Sequence, residues 1–185
     1  ALDISATSDK DIDALGISVA GSVTAGSGTF SLSGAVGVTQ ASNTIGGTVH
    51  ALVQDADQSE SQSVLAGGPL TMIADNTSTI DSTLVVAALS VTAGSGTVGL
   101  ALSGAASVTE NTITSEVLAG IDNSYVDAAG AITIDAGANS TITANTVAVA
   151  IGVAAGSGTV ALSGAVGVAM ATNSIGAVSY THLTL

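Results

Sequence analysis

The stretch AGSGTVALSGAVGV at residues 155–168 holds no charge and no aromatic ring. A near copy, AGSGTFSLSGAVGV, occupies 25–38, and a looser one, AGSGTVGLALSGAASV, occupies 93–108. Each copy is followed by an Asn-[Ser/Thr]-Ile triplet, at Asn43-Thr44-Ile45, Asn111-Thr112-Ile113 and Asn173-Ser174-Ile175. The triplet starts 18 residues after its AGSGT in all three copies, and the copies are 68 and 62 residues apart. Repetition at a fixed period is a signature of stacked architecture, in which each unit completes its core only against its neighbours.

Parity within the copies points to strands. The second copy carries two extra residues before its SGA, Gly99-Leu100, and two fewer after it. A shift of two keeps later side chains on their original face of a strand, whereas a shift of one would flip them. In the third copy large residues alternate with Ala, Gly or Ser, on odd positions before the AGSGT turn (Val147, Val149, Ile151, Val153) and on even positions after it (Val160, Leu162, Val166, Val168). Period two is the strand signal. A helix would need apolar spacings of three and four, and β-branched runs rich in Gly suit it poorly.

Charge is absent from Ala14 to Gln54, from Ser82 to Thr109 and from Ala136 to the end. These ribbons are expected to lie between other layers, covered on both faces, with the acidic stretches (3–13, 55–60, 75–81, 110–135) forming the wet surface. A second strand type precedes each motif: ALDISAT (1–7), PLTMIAD (69–75) and AITIDAG (130–136). Its apolar residues fall on even positions, so a turn is expected before the odd-phased AGSGT strands, supplied by runs such as DNTSTIDST and GANSTITANT. AGSGT itself reads as a tight Gly turn joining two strands. Gly34, Gly104 and Gly164 in SGA suggest bends, and Pro69 opens a strand.

Composition narrows function. Aromatics are few (Phe30, Tyr125, Tyr180), so small side chains must stack in thin layers. Fourteen acidic residues face one base, Lys10, for a net charge of −13. Nucleic-acid binding and anionic membrane surfaces need Lys and Arg, so both are set aside. The absence of aromatic girdles argues against membrane insertion as a β-barrel. There is no Cys, hence no disulfide or thiolate metal site. Residue 1 is Ala with no secretion-signal pattern, and the chain reads as cut from something longer.

The candidate motifs favour structural roles. AGSGT lacks the third glycine of a dinucleotide fingerprint and the Lys of a P-loop. The SGA serines have no strand–turn–helix elbow and no partnered His. His50 alternates with apolar neighbours and reads as a strand residue at a sheet border. The acids of DKDID (9–13) and DAD (55–57) lie two apart on one strand face, but no calcium-loop pattern surrounds them. Thr77, Thr79, Thr141 and Thr143 form no ladder that is regular across the copies. No catalytic, cofactor-binding or metal-ligating residue is assigned, and no cofactor.

The organisation expected is repeat one at 1–67 with a surface loop near 54–63, repeat two at 68–129, a truncated repeat three at 130–177, and a tail at 178–185. The tail, VSYTHLTL, loses repeat register and resembles a translated sequencing adapter, so it is expected to be non-native. Over 1–177 the repeat resembles those of very large bacterial surface and secreted proteins of the haemagglutinin/adhesin type, including autotransporter passengers. The matching residues are the strands around AGSGT, SGAVGV, Asn-[Ser/Thr]-Ile and the phrase IDNSxVxAxGxIxIxA at 121–136. The resemblance implies a β-solenoid, export to the bacterial cell surface, and a role in adhesion or as a stalk. The expected fold is thus all-β, a right-handed parallel β-helix, with stacked antiparallel hairpins as the alternative. The expected partners are neighbouring repeats and a host-cell or matrix ligand, with no nucleic acid and no membrane insertion. Two other functions stay open: part of a carbohydrate-active β-helix enzyme, which carboxylates gathered on one exposed face would favour, and a calcium-dependent adhesive repeat.

Overall fold

A computed structural model describes residues 1–56 and 64–183. It contains eight strands: β1 (Leu2–Gly26), β2 (Phe30–Gln54), β3 (Val64–Ala66), β4 (Leu70–Gly94), β5 (Val98–Asp122), β6 (Val126–Ala128), β7 (Ile132–Gly156) and β8 (Val160–Leu183). Like stacks on like, always in parallel. The order β1-β4-β7 makes one sheet, β2-β5-β8 a second, and β3-β6 a short third. Val147–Ala154 pairs with Val85–Thr92 one repeat away, not with the return strand of its own copy. The chain is therefore a parallel β-solenoid, and the antiparallel-hairpin alternative is excluded. AGSGT stacks on AGSGT and Asn-[Ser/Thr]-Ile on Asn-[Ser/Thr]-Ile.

The repeat arithmetic closes on the connectors. β2 and β3 are separated by residues 55–63, whereas β5 and β6 are separated by 123–125. That difference of six accounts for the steps of 68 and 62. Of the surface loop expected near 54–63, Gln54 ends β2, Asp55 and Ala56 follow it, and the remainder lies outside the described residues. Pro69 directly precedes β4, where its missing N–H breaks no ladder bond and its carbonyl accepts from Leu2 N.

The long strands run 24 or 25 residues, about 80 Å at ~3.3 Å per residue. Typical strands have about 5–6 residues. Each is unbroken, so the turn expected inside DNTSTIDST or GANSTITANT does not exist: both runs lie mid-strand, in β4 and β7. The ladder also passes through Gly34, Gly104 and Gly164 without interruption, so the bends expected there are absent. Strand β8 reaches Leu183 in register with β5, so the tail continues the ladder as far as it is described.

The phase change has a different cause. In β4 the even positions face the opposite sheet along the whole strand, from Leu70 and Met72 to Ser90 and Thr92, all nearly inaccessible. In β5 the odd positions do so, from Ala101 to Ile121. Large apolar residues point inward at the end of the coil where β3 and β6 lie, here the base. Towards the AGSGT end, the tip, they point outward. The core shrinks accordingly. It runs from Leu70, Met72 and Ile121, through Ile45, Ile80 and Ile113, to Ala35, Val86, Ala88 and Ala105, and then to Ser33, Ser90 and Thr92. The expectation that the uncharged ribbons are covered on both faces is thus overturned. Leu15, Ile17, Val19 and Val23 on β1 and Phe30, Leu32, Val36 and Val38 on β2 stand on the outer surface. Even in the central coil, Leu89 is 43% and Leu102 48% exposed.

Candidate functional surfaces

The turn explains the repeated sequence. A Cβ on Gly94 would collide with the Gly26 carbonyl, and one on Gly96 with the Gly28 carbonyl. Gly156 and Gly158 stand in the same relation to Gly94 and Gly96. Each turn sits on the backbone of the one before, so AGSGT is a stacking requirement. Nothing in it follows the strand–turn–helix geometry that holds phosphates.

The Asn of each triplet forms a ladder along the inside of the second sheet. Asn43 Nδ2 donates to Asn111 Oδ1 at 2.8 Å, and Asn111 Nδ2 donates to Asn173 Oδ1 at 2.9 Å. Asn111 is fully buried, so its own amide depends on these bonds, while Asn43 is half-buried and Asn173 is exposed. The triplet isoleucines stack beside them. Nearer the tip, hydroxyls bridge the sheets. Ser33 Oγ lies 2.7 Å from both Ser90 Oγ and Thr92 Oγ1, and Thr92 Oγ1 donates to the Leu100 carbonyl at 2.8 Å. Ser82 pairs with Thr109 and Ser107 with Thr146. The SGA serines Ser33 and Ser103 are buried between the sheets, where Ser33 serves this network.

At the base, the bends after β2 and β5 share one shape. Asp55 and Asn123 both adopt left-handed backbone, with φ of 51° and 47°. Asn123 Nδ2 donates to Asp55 Oδ1 at 2.7 Å, Asp55 N to the Asp122 carbonyl at 3.1 Å, and Ala56 N to Ser124 Oγ at 3.0 Å. This stacked bend is what the phrase IDNS encodes in the second copy. Lys10, the only base of the sequence, reaches inward from β1 and donates to the Gly46 carbonyl at 2.9 Å. It supports the fold and forms no anion site.

Asp3, Asp9, Asp11 and Asp13 share the outer face of β1 with Asp75 and Asp81 of β4 and Asp135 of β7, by strand parity and register. Asp13 and Asp81 are ladder neighbours. Among the described residues no group of three or more His, Cys, Asp or Glu could hold a metal ion. Asp57 of DAD lies outside them. Thr79 and Thr141 are ladder neighbours, but their rows mix with Asp11, Asp81 and Asn139, so no regular threonine array forms. His50 sits on the outer face of edge strand β2, as expected, 3.9 Å from Glu116, and His182 Nε2 is 3.9 Å from Asp122. Both pairs are solvent-exposed and contribute about 1 kcal/mol at most.

The feature that sequence reading missed is the outer coat of the tip. On the first sheet it comprises Leu15, Ile17, Val19 and Val23, then Val85, Leu89 and Val91, then Val147, Val149, Ile151 and Val153. On the second it runs from Phe30 to Val38, from Val98 to Val108 and from Val160 to Met170. The two faces end at one level. Ser82 bonds Thr109 across the core, which puts their outward neighbours Asp81 and Glu110 at the same height. No family model, curated protein or solved structure matches the chain.

Proposed function

We propose that this chain is a structural and adhesive repeat segment of a large extracellular bacterial protein, without catalysis of its own. The observation that supports it is the in-register stacking of equivalent strands over three coils, with conserved turn geometry and a fully bonded Asn ladder. Such ladders give stiffness along the stacking axis, and stability arises from neighbouring coils rather than from any one unit. The partners in this reading are neighbouring repeats and a ligand on a host cell or matrix, met by the outer faces. Force spectroscopy on the chain tests it. A stalk resists extension and unravels coil by coil in steps of 62 or 68 residues; a single all-or-none rupture refutes the reading.

One observation favours a second reading, a fragment of a carbohydrate-active β-helix. Asp13 and Asp81 are adjacent carboxylates on an exposed face, about 4.8 Å apart in the ladder direction, near the spacing of about 5–5.5 Å used by retaining glycosidases. Hydrolysis of acidic or neutral polysaccharides that disappears in Asp81→Asn would establish it, and no hydrolysis by the unmodified chain removes it.

A further inference from the structure

The apolar coat of the tip has the dimensions of a membrane span. From Leu15 to Gly26 the first sheet covers about 36 Å, and from Val98 to Val108 the second covers about 33 Å, at ~3.3 Å per residue. The hydrocarbon core of a bilayer is about 30 Å thick. Across three strands of ~4.8 Å spacing, each face presents on the order of 500 Å² of apolar surface, at the upper end of what soluble monomers expose even singly. Here there are two such faces, back to back.

Three further features fit lipid better than a protein partner. Both faces carry the coat, and a second copy docked sheet to sheet would cover only one. Both coats stop at one level, marked by Asp13, Asp81 and Glu110, as a planar interface with water requires. The interior of the same half is small and polar; the hydroxyls of Ser33, Ser82, Ser90, Thr92 and Thr109 are bonded to one another or to a backbone carbonyl, and Ser103 Oγ is buried without a partner. That is the inside-out arrangement of chains that span membranes with strands. The turn at the far end is Ser-Gly-Thr, small and uncharged enough to cross hydrocarbon.

We infer that the tip half of the solenoid inserts into a lipid bilayer, with the acidic base half standing in water. The site is the pair of outer faces between the Asp81/Glu110 level and the AGSGT turns. This goes beyond the stalk reading and departs from the expectation that the chain stays out of membranes. That expectation rested on the aromatic girdles of closed barrels, whereas this body meets lipid as a flat two-sheet wall. Backbone groups in hydrocarbon must be paired. Strands β4 and β5 are paired on both sides. Strands β1, β2, β7 and β8 are paired on one side within these three coils.

The test uses uncharged phosphatidylcholine vesicles, which remove attraction or repulsion of the net charge of −13 as a variable. Leu89 and Leu102 sit on opposite faces of the central coil at about the same depth. The full chain should float with the vesicles, and Leu89→Asp/Leu102→Asp should lower the bound fraction at least tenfold with an unchanged far-ultraviolet spectrum. An environment-sensitive fluorophore on Leu89→Cys should shift to the blue on vesicle addition, and one on Thr79→Cys should not. Failure to float, equal shifts at both positions, or self-association that persists unchanged with vesicles would overturn the inference. None of these outcomes bears on coil-by-coil unravelling, so the stalk reading stands or falls separately.

Discussion

Neighbouring residues Val91 and Thr92 give the sharpest contrast between hydropathy and structure. If apolar side chains pointed inward throughout, Thr92→Val would stabilise the chain and Val91→Thr would weaken it. The structure predicts instead that Thr92→Val destabilises the chain and Val91→Thr is close to neutral. Thr92 is 1% exposed, donates to the Leu100 carbonyl and lies 2.7 Å from Ser33 Oγ. A valine of nearly the same shape removes both interactions and leaves the Leu100 carbonyl without its side-chain donor. At about 0.5–1.5 kcal/mol net for each hydrogen bond, the loss is about 1–3 kcal/mol. For a chain of this length that lowers the melting temperature by about 2–12 °C. Val91 faces outward, so Val91→Thr should change stability by about 0.5 kcal/mol or less. Thermal and urea unfolding followed by circular dichroism measure both. A stabilised Thr92→Val together with a destabilised Val91→Thr would refute the assignment of inside and outside in the tip half.

Other substitutions test the ladders. Gly96→Ala places a Cβ against the Gly28 carbonyl and the Thr29 backbone, neither of which can rotate away; overpacking should cost about 1–3 kcal/mol or more, read as a lower urea midpoint. Asn111→Ala deletes both ladder bonds, for a loss of about 1–3 kcal/mol in the same assay, with Asn111→Asp no better because one amide donor is gone. Ile113→Ala opens a cavity among Ile45 and Ile80 and should cost about 2–5 kcal/mol, whereas the exposed Ile151→Ala should be close to neutral in water.

Much of the fold was legible because strand physics leaves marks at fixed spacing. Large/small alternation at Val147–Ala154 indicated strands, and the even shift around Gly99-Leu100 preserved a face. The six-residue difference between repeats did fall in the connector after β2. The direction of the faces was not legible. Period two says that side chains alternate, and only burial says which set is inside. Reading apolar as inward required a turn between the Met72 phase and the Val85 phase, yet Asp75–Thr83 contains neither Gly nor Pro. The β-branched Thr77, Thr79, Ile80 and Thr83 within that run were the available signal for one continuous strand with its apolar side reversed. The Asn ladder was visible as a triplet, but its bonding required strands one coil apart to be neighbours. The seven aspartates on the first sheet were read as separate acidic stretches of wet surface, because residues such as Asp13 and Asp81 meet only through the 68-residue register.

A parallel solenoid requires equivalent residues of successive copies to lie side by side. Nitroxide labels on Thr79→Cys and Thr141→Cys measure this directly, in a chain with no native cysteine to confuse the labelling. The two positions are ladder neighbours on the outer face, one strand spacing of about 4.8 Å apart. Parallel stacking predicts strong spin exchange between them, absent in either single-labelled chain. A doubly labelled spectrum equal to the sum of the two single ones would contradict the solenoid.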